Sequence, residues 1–297
     1  FANKNYDANI TGGKELYRWS VEKIPDFWGA MWDFAGIIAS KKYDKVVEDL
    51  NVFPGTKWFP GALLNFAENL LKYKDDKLAF DFQGETKVSK QMTYAELNKT
   101  VARLAKSLKE IGVKVGDIVV SYIPNLIETP VAMLAGAAIG ATWASCGAEL
   151  QPSAVIDRFG QIEPKVLFTV DGYFYRDKIF DIRENAKAVV EAIPSIEKVV
   201  VVTYVSDSKC DVSGIPKAVN WEDFISKDED PPLEFVQLPF DHPIYVMFSS
   251  GTTGKPKCMV QSAGGVLINH LKELILSTDC KRSDVLNYIT APSWMMV

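Results

Sequence analysis

The middle of the chain repeats one pattern, in which a short and almost continuous apolar run is followed by a longer stretch with helical periodicity. The apolar runs are DIVVSYI, ATWASC, KVLFTV, KVVVVTYV and PIYVMF, starting at residues 117, 141, 165, 198 and 243. Strands that are apolar on both faces are typical of parallel sheets, and the helices between them cover both sides of the sheet. The pattern therefore predicts an α/β fold with a layered parallel sheet.

Amino-acid composition limits which partners the protein is expected to bind and in which compartment it is expected to lie. The chain has 297 residues, of which 47% are hydrophobic and 24% charged, as in globular proteins. A net charge of −5 argues against a general affinity for nucleic acid or anionic membranes. The cysteines at 146, 210, 258 and 280 show no CxxC spacing, and there are two histidines. These counts predict neither a metal site nor a disulfide framework, and they favour the reducing cytoplasm.

One uncharged stretch, from Thr129 to Ala148, has about the length of a membrane span. It is rich in alanine and contains Pro130 and three glycines. We expect a buried helix followed by a buried strand there, and no membrane span.

Three further segments have helical signatures. TYAELNKTVARLAKSLKEIG begins with Thr93 and Glu96 in capping-box spacing and stops at Gly112. PSAVIDRFGQIEP predicts a helix ended by Pro164, and residues 179–193 predict another. Between Ser206 and Asp241 the alternation of apolar runs and helical stretches stops, and SKDEDPP predicts a solvated loop.

The first 71 residues are rich in aromatic side chains and predict a helical appendage, with the main domain over 72–297. In SVEKIPDFWGAMWDFAGI, Ser20 is expected to cap a helix whose Phe27, Met31 and Phe34 share one face. The chain starts without methionine and finishes on the apolar SWMMV. We therefore expect it to be part of a longer protein.

The most distinctive segment is SSGTTGKPK, Ser249 to Lys257, which we call the glycine–hydroxyl loop. Glycines let several backbone N–H groups point to one place, and hydroxyls and lysines add donors and charge, so the loop suits an anion such as phosphate. We expect it to leave a buried strand and to precede a helix. A Walker A loop is disfavoured, because Ser249 and Pro256 replace its first glycine and its final Ser or Thr. By composition alone, a Ser/Gly surface turn is an equal alternative.

The loop resembles the phosphate-binding signature of the AMP-forming adenylate enzymes, which include the acyl-CoA synthetases. YRWSVEKIPDFWGAMWDFAGI is similar to the N-terminal segment of the acetyl- and acetoacetyl-CoA synthetases. PGTKWFPGALLNFAENLL, VIDRFGQIEPKVLF and LPFDHPIYVMFSSGTTGKPKCMVQSAGGVLINHLKE resemble the acetoacetyl group most closely. This resemblance implies that the chain is the N-terminal part of a ligase that uses ATP, Mg²⁺, acetoacetate and CoA.

The resemblance also implies roles for particular residues. The ATP phosphates would be held by the loop residues Ser249, Ser250, Gly251, Thr252, Thr253, Gly254 and Lys255. Lys257 would be the catalytic cation. Arg176 and Lys178 in GYFYRDK lie where relatives bind CoA. Trp294 corresponds to a tryptophan near the acyl and CoA sites, although Ser293 replaces the family's glycine and a core position is the alternative. Cys258 is expected to be a small buried residue.

The family's adenine-binding segment, its Tyr-Gly-x-Thr-Glu element and its late lysine do not occur in these 297 residues. We therefore expect this chain to be inactive by itself. Two alternatives stay open: an acetyl-CoA or other short-chain synthetase, and a truncated homologue that binds nucleotide without turnover.

Overall fold

A computed structural model describes residues 1–85, 88–249, 254–291 and 293–294. The helices are α1 Ala2–Tyr6, α2 Gly13–Glu22, α3 Ile24–Ala35, α4 Phe66–Leu70, α5 Tyr94–Glu110, α6 Glu128–Ala138, α7 Pro152–Phe159, α8 Arg183–Ala192, α9 Trp221–Phe224 and α10 Ala263–Leu271, which continues as a π-helical turn, Lys272–Ser277.

The strands are β1 Leu63–Leu64, β2 Leu78–Gln83, β3 Ser89–Thr93, β4 Ile118–Tyr122, β5 Thr142–Cys146, β6 Val166–Val170, β7 Gly172–Tyr175, β8 Lys178–Asp181, β9 Lys198–Val202, β10 Ala218–Asn220, β11 Leu238–Pro239, β12 Pro243–Ser249 and β13 Lys257–Ser262.

The chain divides into two compact units. One comprises Phe1–Asn69, Gln237–His242 and Ser262–Asn287; the other comprises Leu70–Val236, Pro243–Gln261 and Tyr288–Val297.

Aromatic packing holds the first unit together. Phe59 is 1% exposed, and its ring centroid lies 5.0 Å from that of Trp32 and 4.7 Å from that of Phe240. Such aromatic pairs contribute about 0.5–1.5 kcal/mol each beyond the area they bury. Helices α1 to α4 lie in the N-terminal segment, which confirms that this segment is helical as predicted.

The expected Ser20 cap is wrong. Ser20 lies inside α2, where its hydroxyl donates to the Tyr17 carbonyl, and α3 begins only at Ile24. Pro25 occupies the first turn of α3, a position that suits its fixed φ and missing N–H. Of the three residues expected on one face, Phe27 and Met31 are buried, whereas Phe34 is 45% exposed.

The second unit is built on a seven-stranded sheet of order β10-β9-β6-β4-β5-β12-β13. Every pairing from β10 through β12 is parallel. The central strands β4, β5 and β6 are almost wholly buried, as their apolar runs predict. The predicted parallel α/β sheet is confirmed.

The uncharged stretch folds as α6 followed by β5, which confirms the predicted helix and strand. None of the helices in the described part of the chain combines the length and the hydropathy that a membrane span requires. Two boundaries differ from prediction. The α7 helix ends at Phe159, before Gly160 and well before Pro164, and α8 begins at Arg183 because residues 178–181 form β8.

Candidate active site

Four strands of the second unit end at the same edge of the sheet. Since β4, β5, β6 and β12 are parallel, their last residues Tyr122, Cys146, Val170 and Ser249 mark one carboxyl edge. The connection leaving β4 runs to β5, whereas the connection leaving its neighbour β6 runs toward β9. Such divergence at the carboxyl ends of parallel strands is where open α/β sheets bind their ligands.

The glycine–hydroxyl loop leaves the sheet at this edge. Ser249 is the last residue of β12, and Lys257 is the first residue of β13. Ser250, Gly251, Thr252 and Thr253 lie outside the described residues. Gly254 has a φ of 139°, a conformation that favours glycine.

The expectation that a helix follows the loop is wrong. A strand, β13, comes first, and α10 begins at Ala263 with the Ser262 hydroxyl accepting the Gly265 N–H. Pro256 has no N–H and favours an extended residue before it, which suits entry into a strand. Among the described residues a strand, and not a helix N-terminus, therefore comes directly after the loop.

The end of the loop lies against α7. The Lys255 Nζ is 3.8 Å from an Asp157 carboxylate oxygen, and the Gln161 side-chain amide donates to the Pro256 carbonyl at 3.0 Å. The Asp157 carboxylate would thus compete with an anionic ligand for the positive charge of Lys255. Lys257 is exposed at the start of the edge strand β13.

Cys258 is exposed, so its expected burial is wrong. It lies on β13, which is the last strand of the sheet and has most of its side chains at least partly open to solvent. Desolvation still raises the pKa of the thiol above its ordinary value. A raised pKa keeps the sulfur protonated at neutral pH, which disfavours a nucleophilic role.

Arg176 and Lys178 lie on a hairpin that projects from the same carboxyl edge. The hairpin consists of β7 and β8, with Tyr175 paired to Lys178 and a two-residue turn between them. The turn residues Arg176 and Asp177 have φ values of 50° and 59°, which is unusual for residues other than Gly and Asn. Both basic side chains are exposed.

The hairpin presents an aromatic face beside these cations. Tyr173 and Phe180 stack with centroids 5.2 Å apart and planes 12° apart, and the Arg176 guanidinium lies 5.2 Å from the Tyr175 ring centroid. Because β6 and β12 are separated by three strand spacings, the hairpin and the glycine–hydroxyl loop leave the sheet about 14 Å apart. Two ligands that lie end to end over this distance would reach both the hairpin and the glycine–hydroxyl loop.

Trp294 is 64% exposed in the described part of this chain. Its backbone N–H donates to the Ala291 carbonyl at 3.0 Å. Nearby in the chain, the Asn125 side chain donates to the Thr290 carbonyl at 2.7 Å and ties this segment to the residues that follow β4.

Sequence reasoning missed Asp171, which is 1% exposed directly after β6. An acidic residue at the carboxyl end of an apolar strand was the available signal. Among the residues that the structure describes, no three or more His, Cys, Asp and Glu side chains cluster as metal ligands would.

Comparison with known proteins agrees with this geometry. The sequence model of the AMP-binding enzyme family matches residues 66–296, and that of the acetyl-coenzyme A synthetase N-terminus matches residues 13–70. An acetoacetyl-CoA synthetase of Danio rerio is 45% identical over 99% of this chain and 45% of its own length. A malonamoyl-CoA synthetase of Penicillium aethiopicum is 35% identical over 99% of this chain and 42% of its own length.

The solved acetoacetyl-CoA synthetase of Streptomyces lividans superposes with a TM-score of 0.92 at 39% identity, covering 99% of this chain and 45% of that one. The chain thus spans about half the length of the relatives it matches. A family model that covers most of the chain, together with the parallel sheet and the loop at its carboxyl edge, establishes that this chain belongs to the AMP-binding enzyme family.

Proposed function

We propose that this chain is part of an acetoacetate–CoA ligase that consumes ATP. The observation that carries the proposal is the position of the glycine–hydroxyl loop at the carboxyl edge of a parallel sheet, in a chain whose relatives include acetoacetyl-CoA synthetases. In that reaction a carboxylate oxygen of acetoacetate attacks the α-phosphorus of ATP and pyrophosphate leaves. The CoA sulfur then attacks the acyl carbon and AMP leaves.

The glycine–hydroxyl loop would hold the β- and γ-phosphates. Its exposed lysines, and Gly254 in a backbone conformation that favours a residue without a side chain, suit a polyanion that approaches the backbone closely. Lys257 is assigned the main charge contact, since Lys255 already lies near Asp157. Fixed positive charge there lowers the barrier to attack on the α-phosphorus by stabilising the negative charge that develops on the departing pyrophosphate.

The β7–β8 hairpin would bind CoA, whose nucleotide end carries phosphates and a flat base. Arg176 and Lys178 offer cations to phosphate, and the exposed aromatic face offers a stacking surface. Trp294 would border the acyl group. Magnesium rests on the family resemblance and a cytoplasmic location on the cysteine pattern, and both stay predictions.

A second candidate substrate is malonamate. The Penicillium aethiopicum relative is named for malonamoyl-CoA, and malonamate shares with acetoacetate a short chain and a carbonyl at its third carbon. Acetate lacks that carbonyl.

Acid-dependent exchange of pyrophosphate into ATP tests the proposal. In a polypeptide that carries this chain and has the full length of its relatives, acetoacetate should support exchange with a higher kcat/KM than acetate or malonamate. Faster exchange with malonamate would assign the second substrate. Absence of exchange with all three acids, while ATP still binds, would favour a homologue that binds nucleotide without turnover.

A further inference from the structure

We propose that Asp171 is a positioning residue for the CoA step, whose buried carboxylate fixes the base of the β7–β8 hairpin so that the basic tip of the hairpin meets CoA. This inference rests on the proposed function, in which Arg176 and Lys178 contact CoA.

The Asp171 carboxylate accepts hydrogen bonds from three consecutive backbone N–H groups of one turn, residues 204–206. One oxygen accepts the N–H groups of Tyr204 and Val205 at 2.8 and 3.1 Å, and the other accepts the N–H of Ser206 at 3.0 Å. The residue is 1% exposed, so water does not compete for these bonds. Hydrogen bonds from backbone donors to a buried carboxylate are strong and directional. The carboxylate therefore determines where the 204–206 turn lies.

The same residue ties both ends of the hairpin through its main chain. Its N–H donates to the Val202 carbonyl at 3.2 Å, and its carbonyl accepts the N–H of Ile182 at 3.1 Å. Residue 171 immediately precedes β7 and residue 182 immediately follows β8. The entry and the exit of the hairpin are thus held at one point.

The 204–206 turn is the support on which the hairpin packs. The Phe174 ring meets the Tyr204 ring edge-on with centroids 5.3 Å apart. A Cβ added at Gly172 would lie 2.9 Å from a Val205 methyl carbon and 2.6 Å from the Phe180 carbonyl oxygen, so the hairpin lies very close to this turn. A shift of the turn is therefore transmitted to the hairpin.

The tip of the hairpin is held as well. The Arg176 N–H donates to a Glu85 carboxylate oxygen at 2.5 Å, and this contact lies next to the left-handed turn residues. With its base and tip both fixed, the hairpin is a rigid carrier. A fixed carrier keeps Arg176 and Lys178 in place before CoA arrives, which reduces the entropy lost on binding.

The test separates the two half-reactions in a polypeptide that has the full length of the relatives and carries this chain. Asp171→Asn keeps the side-chain shape, but its amide N–H₂ faces a backbone donor and cannot accept from it. We expect the KM for CoA to rise about tenfold or more, as for the loss of a hydrogen bond to a charged group. Acid-dependent pyrophosphate exchange needs no CoA, so its rate should change less than about twofold. A twofold change in rate corresponds to a smaller free energy than the loss of one hydrogen bond.

A matched control uses a carboxylate at the opposite edge of the sheet. Asp117 precedes β4, accepts the Lys114 N–H at 2.8 Å and pairs with Lys165 at 3.1 Å. Asp117→Asn should lower the melting temperature without changing the KM for CoA. If Asp171→Asn unfolds the protein, Gly172→Ala replaces it, because this change displaces the hairpin and leaves the carboxylate intact.

The combined effect of changes at the base and at the tip of the hairpin decides whether Asp171 acts by positioning. Arg176→Ala should raise the KM for CoA in the parent protein but add little in the Asp171→Asn background. Equal losses in exchange and in thioester formation for Asp171→Asn, or full additivity with Arg176→Ala, would overturn the positioning role. If Arg176→Ala and Lys178→Ala leave the KM for CoA unchanged while exchange is intact, the CoA assignment of the hairpin fails instead.

Discussion

At the scale of single residues, the two lysines of the glycine–hydroxyl loop should differ in importance. Lys255 lies 3.8 Å from Asp157, whereas Lys257 is exposed at the first position of β13. We expect Lys257→Ala to weaken ATP binding by about 1.5–3 kcal/mol, the value of a hydrogen bond to a charged group. In a dissociation constant this is roughly 10- to 150-fold. Calorimetric titration of the full-length protein with a non-hydrolysable ATP analogue measures it.

Lys255→Ala is the matched control, because it removes an equal charge two residues away. Its effect on the ATP dissociation constant should be clearly smaller. An equal or larger loss for Lys255→Ala would reverse the assignment of the two lysines.

Single residues also show where prediction from sequence stops. Lys257 could be named because the spacing of Gly254, Pro256 and Lys257 is distinctive within a single segment. The exposure of Cys258 could not, since it depends on β13 being the last strand of the sheet. The role proposed for Asp171 depends on its hydrogen bonds with Tyr204, Val205 and Ser206, which are more than thirty residues away in the chain.

At the scale of elements, the start of α5 offers a stability test. The Thr93 hydroxyl accepts the Glu96 N–H at 3.2 Å, and a Glu96 carboxylate oxygen accepts the Thr93 N–H at 2.8 Å. Thr93→Ala should lower the free energy of unfolding by about 1 kcal/mol, as is typical for the loss of an N-cap. Urea denaturation measures this change.

Thr100→Ala, in the interior of the same helix, is the control. Alanine has the higher helix propensity there, so the free energy of unfolding should stay equal or rise. A loss as large as that of Thr93→Ala would show that the effect does not come from the cap.

The capping box also predicts a pH dependence. Hydrogen bonds from Thr93, first from its backbone N–H, hold the pKa of Glu96 below its ordinary value. A carboxyl group whose pKa is lower in the folded chain stabilises the fold above its unfolded pKa, and this contribution is lost as the pH falls through the folded pKa. Urea denaturation between neutral and acid pH should therefore show a smaller acid-induced loss for Glu96→Gln than for the parent. An identical loss in both proteins would contradict the prediction.

Elements with local signals were predictable, and those defined by distant pairing were not. The α5 helix carries its own cap and stop, and the strands β4, β5, β6, β9 and β12 follow from apolar runs. The β8 strand was mistaken for the start of a helix, and the hairpin gave no turn signal because its turn holds Arg176 and Asp177 where Asn and Gly are usual. The α3 start was misplaced because Ser20 has the chemistry of a cap but lies within α2.

At the scale of the whole molecule, the 297-residue chain by itself should release no AMP from ATP, Mg²⁺, CoA and acetoacetate. It carries the loop and the hairpin, yet it covers 45% of its Streptomyces lividans relative. The Tyr-Gly-x-Thr-Glu element that the resemblance associates with magnesium does not occur in these 297 residues. Adenylation needs the phosphates, the metal and the acid to be held together, and positioning supplies most of the rate. A polypeptide extended with the remaining length of a relative should release AMP under the same conditions, and the two are compared at equal concentration by coupled AMP detection. Steady AMP release by the 297 residues, at a rate near that of the extended protein, would show that the catalytic groups lie within this chain.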